Sequence, residues 1–147
     1  MTQGSFEIVS LNVSERKGTT KQPVEEIKLV ADFGVEGDAH AGAGKRQVSL
    51  LAIEDIESFS ASGIAPLPGD FAENITTRGV DLPSLPIGTR LSIGKAVLEV
   101  SQIGKECHEG CAIRKKKGDC IMPRRGIFAC VVVGGKICRG DSCYYGS

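Results

Sequence analysis

Apolar and polar residues alternate along Phe6–Val13 and again along Ala96–Ile103, with the period of two that marks a strand buried on one face. The signal recurs in the shorter runs Glu25–Val30, Gln47–Leu51, Asn74–Thr77 and Arg90–Ile93, and Ile127–Val133 is a β-branched run. Gly134-Gly135 then reads as the turn of a hairpin into Lys136–Cys138. Ile53, Ile56 and Phe59 stand three apart, as on one helix face, with Glu54, Asp55 and Glu57 near its positive end. This predicts a helix around Ala52–Phe59. Short strands at close spacing, punctuated by Gly and Pro, fit a mostly β chain: a closed, twisted β-barrel with one or two short helices rather than a parallel sheet. There is no internal repeat, linker or low-complexity segment, so residues 1–147 are expected to form one domain.

The core has to be aliphatic, because aromatics make up only 5% of the chain and there is no Trp. Its expected members are Ile8, Val9, Leu11, Ile27, Leu29, Val48, Leu50, Ile75, Leu91, Ile93, Val97, Leu98, Val100, Val131 and Val133. Strand alternation turns part of that set outward, leaving roughly two-thirds buried. Eighteen basic residues balance eighteen acidic ones, which gives no argument for nucleic acid or a membrane surface as partner. No apolar run approaches the ~20 residues that span a bilayer, and Met1–Phe6 has neither a basic nor an apolar leader region. A cytoplasmic protein is expected, and there cysteines are more often ligands or redox groups than disulfides.

All six cysteines lie in the last third of the chain, and one of the two histidines is with them. The strand Ala96–Ile103 runs into Gly104-Lys105-Glu106-Cys107-His108-Glu109-Gly110-Cys111, a glycine-flanked turn that sets thiols and an imidazole side by side. A thiol between Lys105 and His108 is expected to ionise more readily than a free cysteine. Cys107, Cys111 and Cys120, separated by three and eight residues, miss the usual paired zinc spacing, yet with His108 they make a chemically sound Cys3His set. The basic runs Arg114–Lys117 and Arg124-Arg125 read either as a solvated face or as donors to an anion such as phosphate. Cys130, between Ala129 and Val131, reads as a small buried hydrophobe, so Cys130→Ser is expected to cost roughly 1–3 kcal/mol if the new hydroxyl is buried without a partner. Cys138 and Cys143 bracket a turn across which they are able to pair if oxidised.

Two glycine-rich segments stand apart from these thiols. Gly34–Gly42 lacks the strand–GxGxxG–helix context of a dinucleotide site. Within it, Asp38 either orients the His40 imidazole or caps nearby backbone groups. Pro68–Asn74 is a second Gly-Asp turn, from which Asn74 points into a site or into a turn hydrogen bond.

Taken in order, several segments resemble the MOSC domain, the family named after the C-terminal domain of molybdenum cofactor sulfurase. The resemblance runs through Gly34–His40, Arg46–Leu50, Pro68–Thr77, Leu85–Gly94, Val97–Gln102, Cys107 and the closing Gly134–Asp141. It covers nearly the whole chain. It implies a twisted barrel of the MOSC and pyruvate-kinase-barrel type, with a pocket and a characteristic cysteine where Cys107 stands. That cysteine implies molybdenum cofactor (molybdopterin) as the bound group, with Cys107 as metal ligand or sulfur carrier, and His40, Arg46, Asn74 and Lys105 in the same pocket. No pyridoxal phosphate is expected, because the chain is too short to contain the sulfurase's desulfurase domain. Between Cys107 and Arg125 the chain departs from the family: Lys105-Glu106 stand before the cysteine, and Cys111 and Cys120 follow it.

The chemistry of the residues agrees with that implication, since molybdenum in a pterin dithiolene accepts a soft thiolate as a further ligand. Three readings follow. The first is a cofactor-binding or sulfur-carrier protein working with a cysteine desulfurase or a cofactor-biosynthesis protein. The second is a small molybdenum reductase of N-hydroxylated compounds, needing an electron-donor protein. The third is a structural zinc module on Cys107, His108, Cys111 and Cys120. The first is favoured because no electron-transfer centre is recognisable in the chain.

Overall fold

In the structure, a computed structural model, residues 3–14, 21–39, 41–42, 44, 46–58, 68–69, 71–104 and 125–146 are described. Seven strands close a barrel. They are β1 (Gln3–Val13), β5 (Val48–Ala52), β6 (Ile75–Arg78), β7 (Arg90–Ile93), β8 (Ala96–Ile103), β9 (Ile127–Val133) and β11 (Cys143–Gly146). The order is β11-β7-β8-β9-β5-β6-β1, and pairing of β1 with β11 returns the sheet to its start. The expected closed barrel is thus the observed one, with helix α1 (Ile53–Ser58) and a 3-10 turn at Leu82–Ser84. No helix among the described residues is long and apolar enough to cross a membrane.

The barrel interior takes the alternate apolar residues: Val48, Leu50 and Ala52 of β5, Ala96, Leu98 and Val100 of β8, and Ile127, Ala129 and Val131 of β9. Of the expected core, only Val9, Val97 and Val133 escape full burial. Val9 packs instead on a second apolar cluster of Leu51, Ile53, Ile56, Phe71, Ala72 and Phe128, on the outer side of the wall.

That outer cluster has a topological cause. Strands β5 and β6 follow each other in sequence and pair in parallel. Parallel neighbours cannot be joined by a tight turn, so the chain between them has to cross over one face. Helix α1 and the segment at 68–74 belong to this crossover, and they cover the outer face of β5. All five residues of β5 are therefore buried, Ser49 and Leu51 on one side and Val48, Leu50 and Ala52 on the other.

A smaller sheet, in the order β10 (Gly135–Cys138), β3 (Glu26–Val30), β4 (Gly34–Val35), packs Ile27, Leu29, Val35 and Ile137 into the main core. Strand β2 (Gln22–Val24) pairs with β1. The hairpin expected at Gly134-Gly135 does not form. β9 pairs with β8 and β5, whereas β10 pairs with β3, so the chain changes sheets at this dipeptide. Crowding explains the glycine at the switch: a Cβ at Gly134 would lie 2.6 Å from the carbonyl oxygen of Leu29.

Candidate functional site

The crossover is fastened to the barrel by a buried polar network. The side chain of Asn74 accepts from Ser49 N–H (3.0 Å) and donates to the carbonyl of Asn12 (3.2 Å). Asn12 donates in turn to Glu73 O (3.2 Å) and Thr76 Oγ1 (3.1 Å), and accepts from the Ser10 hydroxyl (2.6 Å). Ser10, Asn12, Ser49, Asn74 and Thr76 are all buried, on the side of their strands that faces the crossover. In this wall Asn74 acts on the backbone of two neighbouring strands rather than on solvent.

Glu73 sits in the same network. Its Oε2 accepts from Gly69 N–H (3.0 Å) and from the Thr76 hydroxyl (2.7 Å), while Oε1 accepts from no described residue. Burial pushes its carboxyl from 4.5 up to about 7, against the opposing pull of those hydrogen bonds. The folded state therefore keeps a proton that the unfolded chain releases at lower pH. Stability should fall as pH rises from 4.5 to about 7, by about 3 kcal/mol over that window. Glu73→Gln is expected to remove this component, read as flatter urea midpoints between pH 5 and pH 8. A variant as pH-dependent as the parent would mean Glu73 is ionised throughout.

On the adjoining part of the outer wall the side chains are less covered. The Arg46 guanidinium lies 5.6 Å from the centre of the Phe128 ring, a cation–π distance, and its Nε donates to Gln102 Oε1 (3.3 Å). Gln102 Nε2 donates to Gly104 O (2.8 Å), and Gly104 N–H donates to Gly126 O (2.7 Å). These bonds tie Arg46 to the two residues between which chain positions 105–124 depart and return. Arg125, just before the return point, pairs with Asp55 of α1 (3.0 Å) and with Asp81. The base of the segment bearing Cys107 is thus clamped on both limbs.

Cys130 belongs to this wall, not to the core. Its thiol is only half-buried and donates to Gly44 O at 3.1 Å. The neighbours Ala129 and Val131 point into the barrel, and alternation turns the cysteine outward. A serine hydroxyl retains an acceptor there, so Cys130→Ser is expected to change stability by no more than about 0.5 kcal/mol in urea unfolding. Among the described thiols Cys143 is the buried one: burial, with Asp141 adding to it, pushes it up to about 11, which makes it a poor nucleophile at neutral pH.

Of the residues expected at the site, Arg46 and Asn74 lie on one wall, Arg46 exposed and Asn74 buried under the crossover. His40, Lys105 and Cys107 lie outside the described residues, as do His108, Cys111 and Cys120 of the zinc alternative. Among the described residues no group of three or more His, Cys, Asp or Glu is placed to hold a metal. Asp38, expected to orient His40 or to cap the local backbone, accepts at Oδ1 from Lys21 Nζ (2.7 Å) and from Ser14 N–H (3.0 Å). Lys21, Gln47, Glu73 and Phe128 were not singled out from the sequence. Gln47 spans Gly44 O (3.1 Å), Asp32 (2.9 Å) and Val131 N–H (2.9 Å), pinning the strand entrance beside Arg46. The signal that locates it is the polar–apolar alternation of Gln47-Val48-Ser49-Leu50, read as a strand covered on both faces.

Chemically, the wall offers a guanidinium for a phosphate, a flat ring beneath it and a soft thiol, next to the departure point of Cys107. These donors suit a phosphate-bearing cofactor with a soft metal. A family model described as the MOSC domain matches residues 37–144. The fold is similar to the YuaD protein from Bacillus subtilis, with a TM-score of 0.81 at 20% identity, covering 98% of this chain and 97% of that one. It is also similar to YiiM from Geobacillus stearothermophilus (TM-score 0.76, 21% identity, 97% and 75% covered). YiiM from Escherichia coli gives a TM-score of 0.71 at 18% identity, covering 98% and 70%. No curated protein matches the chain.

Proposed function

The chain belongs to the MOSC domain family, and on that premise we propose that it binds the molybdenum-bearing pterin cofactor and handles it through the Cys107 thiol, as a carrier or sulfur-transfer module in cofactor maturation. The observation that most supports this reading is the coupling of Arg46, through Gln102 and Gly104, to the base of the segment that carries Cys107. A cation for the pterin phosphate and the family's cysteine then serve one bound molecule. Arg46 binds the phosphate and Phe128 supports the guanidinium from below. The contacts of Arg125 with Asp55 and of Gly126 with Gly104 fix the described ends between which the Cys107 segment runs. In this proposal the sequence neighbours Lys105 and His108 favour the thiolate of Cys107, and His40 is assigned to the same pocket. When bound, the pterin dithiolene supplies a metal centre that accepts one more soft ligand.

In sulfur transfer, the Cys107 thiolate attacks the outer sulfur of a donor persulfide, such as that of a cysteine desulfurase. The donor leaves as a thiolate and Cys107 becomes a persulfide. Reduction of N-hydroxylated compounds would additionally need an electron-donor protein. The test is molybdenum, pterin and zinc analysis of protein made in a host that synthesises the cofactor. Molybdenum together with pterin is expected. Stoichiometric zinc without either would replace this reading with the Cys107, His108, Cys111, Cys120 module.

A further inference from the structure

A cavity of about 350 Å³ opens over β1. Val9 and Ser10 of β1 line it together with Pro23 and Pro68, and Gln22 and Arg139 supply polar groups. In the seven-strand order, β9, β5 and β6 separate β1 from β8 on one side, and β11 and β7 on the other. The strand that floors the cavity, β1, is therefore not a neighbour of β8, from which the Cys107 segment leaves. Most of the lining also precedes residue 37, where the family match begins.

The charge of the cavity selects its ligand. Lys21 is part of the lining, yet its ammonium is neutralised by Asp38 at 2.7 Å with both side chains 0% exposed. Arg139 is exposed, forms no ion pair or hydrogen bond with any described residue, and no acidic side chain appears among the described lining residues. Among the described lining residues Arg139 is thus the cation left for a ligand, on a planar fork suited to a carboxylate. Its walls of Val9, Pro23 and Pro68 are apolar, and its volume falls at the small end of the usual range for ligand sites, about 300–1,000 Å³. We propose that this cavity binds a small monocarboxylate with an apolar body, its carboxylate held by Arg139 and its body against Val9, Pro23 and Pro68.

Titration of the full chain with benzoate, followed by saturation-transfer NMR, tests the assignment. Benzoate should bind saturably. Benzamide, the neutral isostere, should bind at least about tenfold more weakly, and Arg139→Gln should weaken benzoate by a similar factor. Arg139→Lys, which keeps the charge and loses the fork, should fall between them. Cys107→Ser should bind benzoate like the parent, which separates this site from the cofactor reading. The proposal fails if benzoate does not saturate, if benzamide or inorganic phosphate binds as well, or if Arg139→Gln binds unchanged.

Discussion

Lys21→Met is expected to lower the stability of the fold by about 3–5 kcal/mol. Lys21 and Asp38 are fully buried, 2.7 Å apart, and the same carboxylate also accepts from Ser14 N–H. Methionine keeps the length and apolar stem of lysine, so the packing survives and the charge alone disappears. What remains is a buried carboxylate that has lost the ammonium 2.7 Å away, which has to be carried as a less compensated charge or neutralised by a proton. The loss should accordingly shrink as pH falls and Asp38 takes up that proton. Lys21→Met combined with Asp38→Asn, which removes both charges and keeps an acceptor for Ser14, should recover most of the stability. Urea unfolding of the three variants measures this, and a loss below about 1 kcal/mol in the single variant would show that the pair is not dry.

The pair also has a positional consequence. Lys21 N–H donates to Gly69 O, and Ala39 N–H donates to Ser14 O, so the ion pair sits where the β1–β2 connection, the exit from β4 and the crossover meet. His40 follows Ala39 directly, and Glu73 and Asn74 follow the Gly69 turn. Breaking the pair should loosen all three approaches to the proposed cofactor wall together.

The barrel was legible in the sequence because its strands are packed on the inside by alternation, and alternation needs no knowledge of partners. Ile8, Leu11, Leu98 and Val100 were found in that way, and all are buried in the main core. The misreadings share a physical origin in long-range contacts. Gly134-Gly135 has the composition of a hairpin turn, yet the glycine is required by the approach of Leu29, more than a hundred residues earlier. Cys130 has apolar neighbours, yet Ala129 and Val131 both face the barrel interior, which leaves the cysteine between them on the outer face. Lys21 stands in a polar stretch that reads as a solvated loop, and only the fold brings Asp38 to it. Of the candidate site, Arg46 and Asn74 could be named from the ordered resemblance to the family, whereas the Gln102–Gly104 link between Arg46 and the Cys107 segment depends on side-chain placement that no spacing encodes.

The second large effect is expected at Cys107. Serine is nearly isosteric with cysteine, so Cys107→Ser should leave the fold and its thermal midpoint in place. It removes the soft ligand and the sulfur nucleophile in one step, because a hydroxyl neither ionises near neutral pH nor accepts a sulfane sulfur. Loading should fall at least as far as it does when a metal site loses an outer partner, about 10–100-fold. The most direct test is the molybdenum, pterin and persulfide content of the parent, Cys107→Ser, Cys111→Ser and Cys120→Ser, all made in a cofactor-competent host and compared at equal thermal stability. Loss confined to Cys107→Ser is the predicted result, and normal loading of Cys107→Ser with loss in Cys111→Ser or Cys120→Ser would contradict the assignment of the thiol.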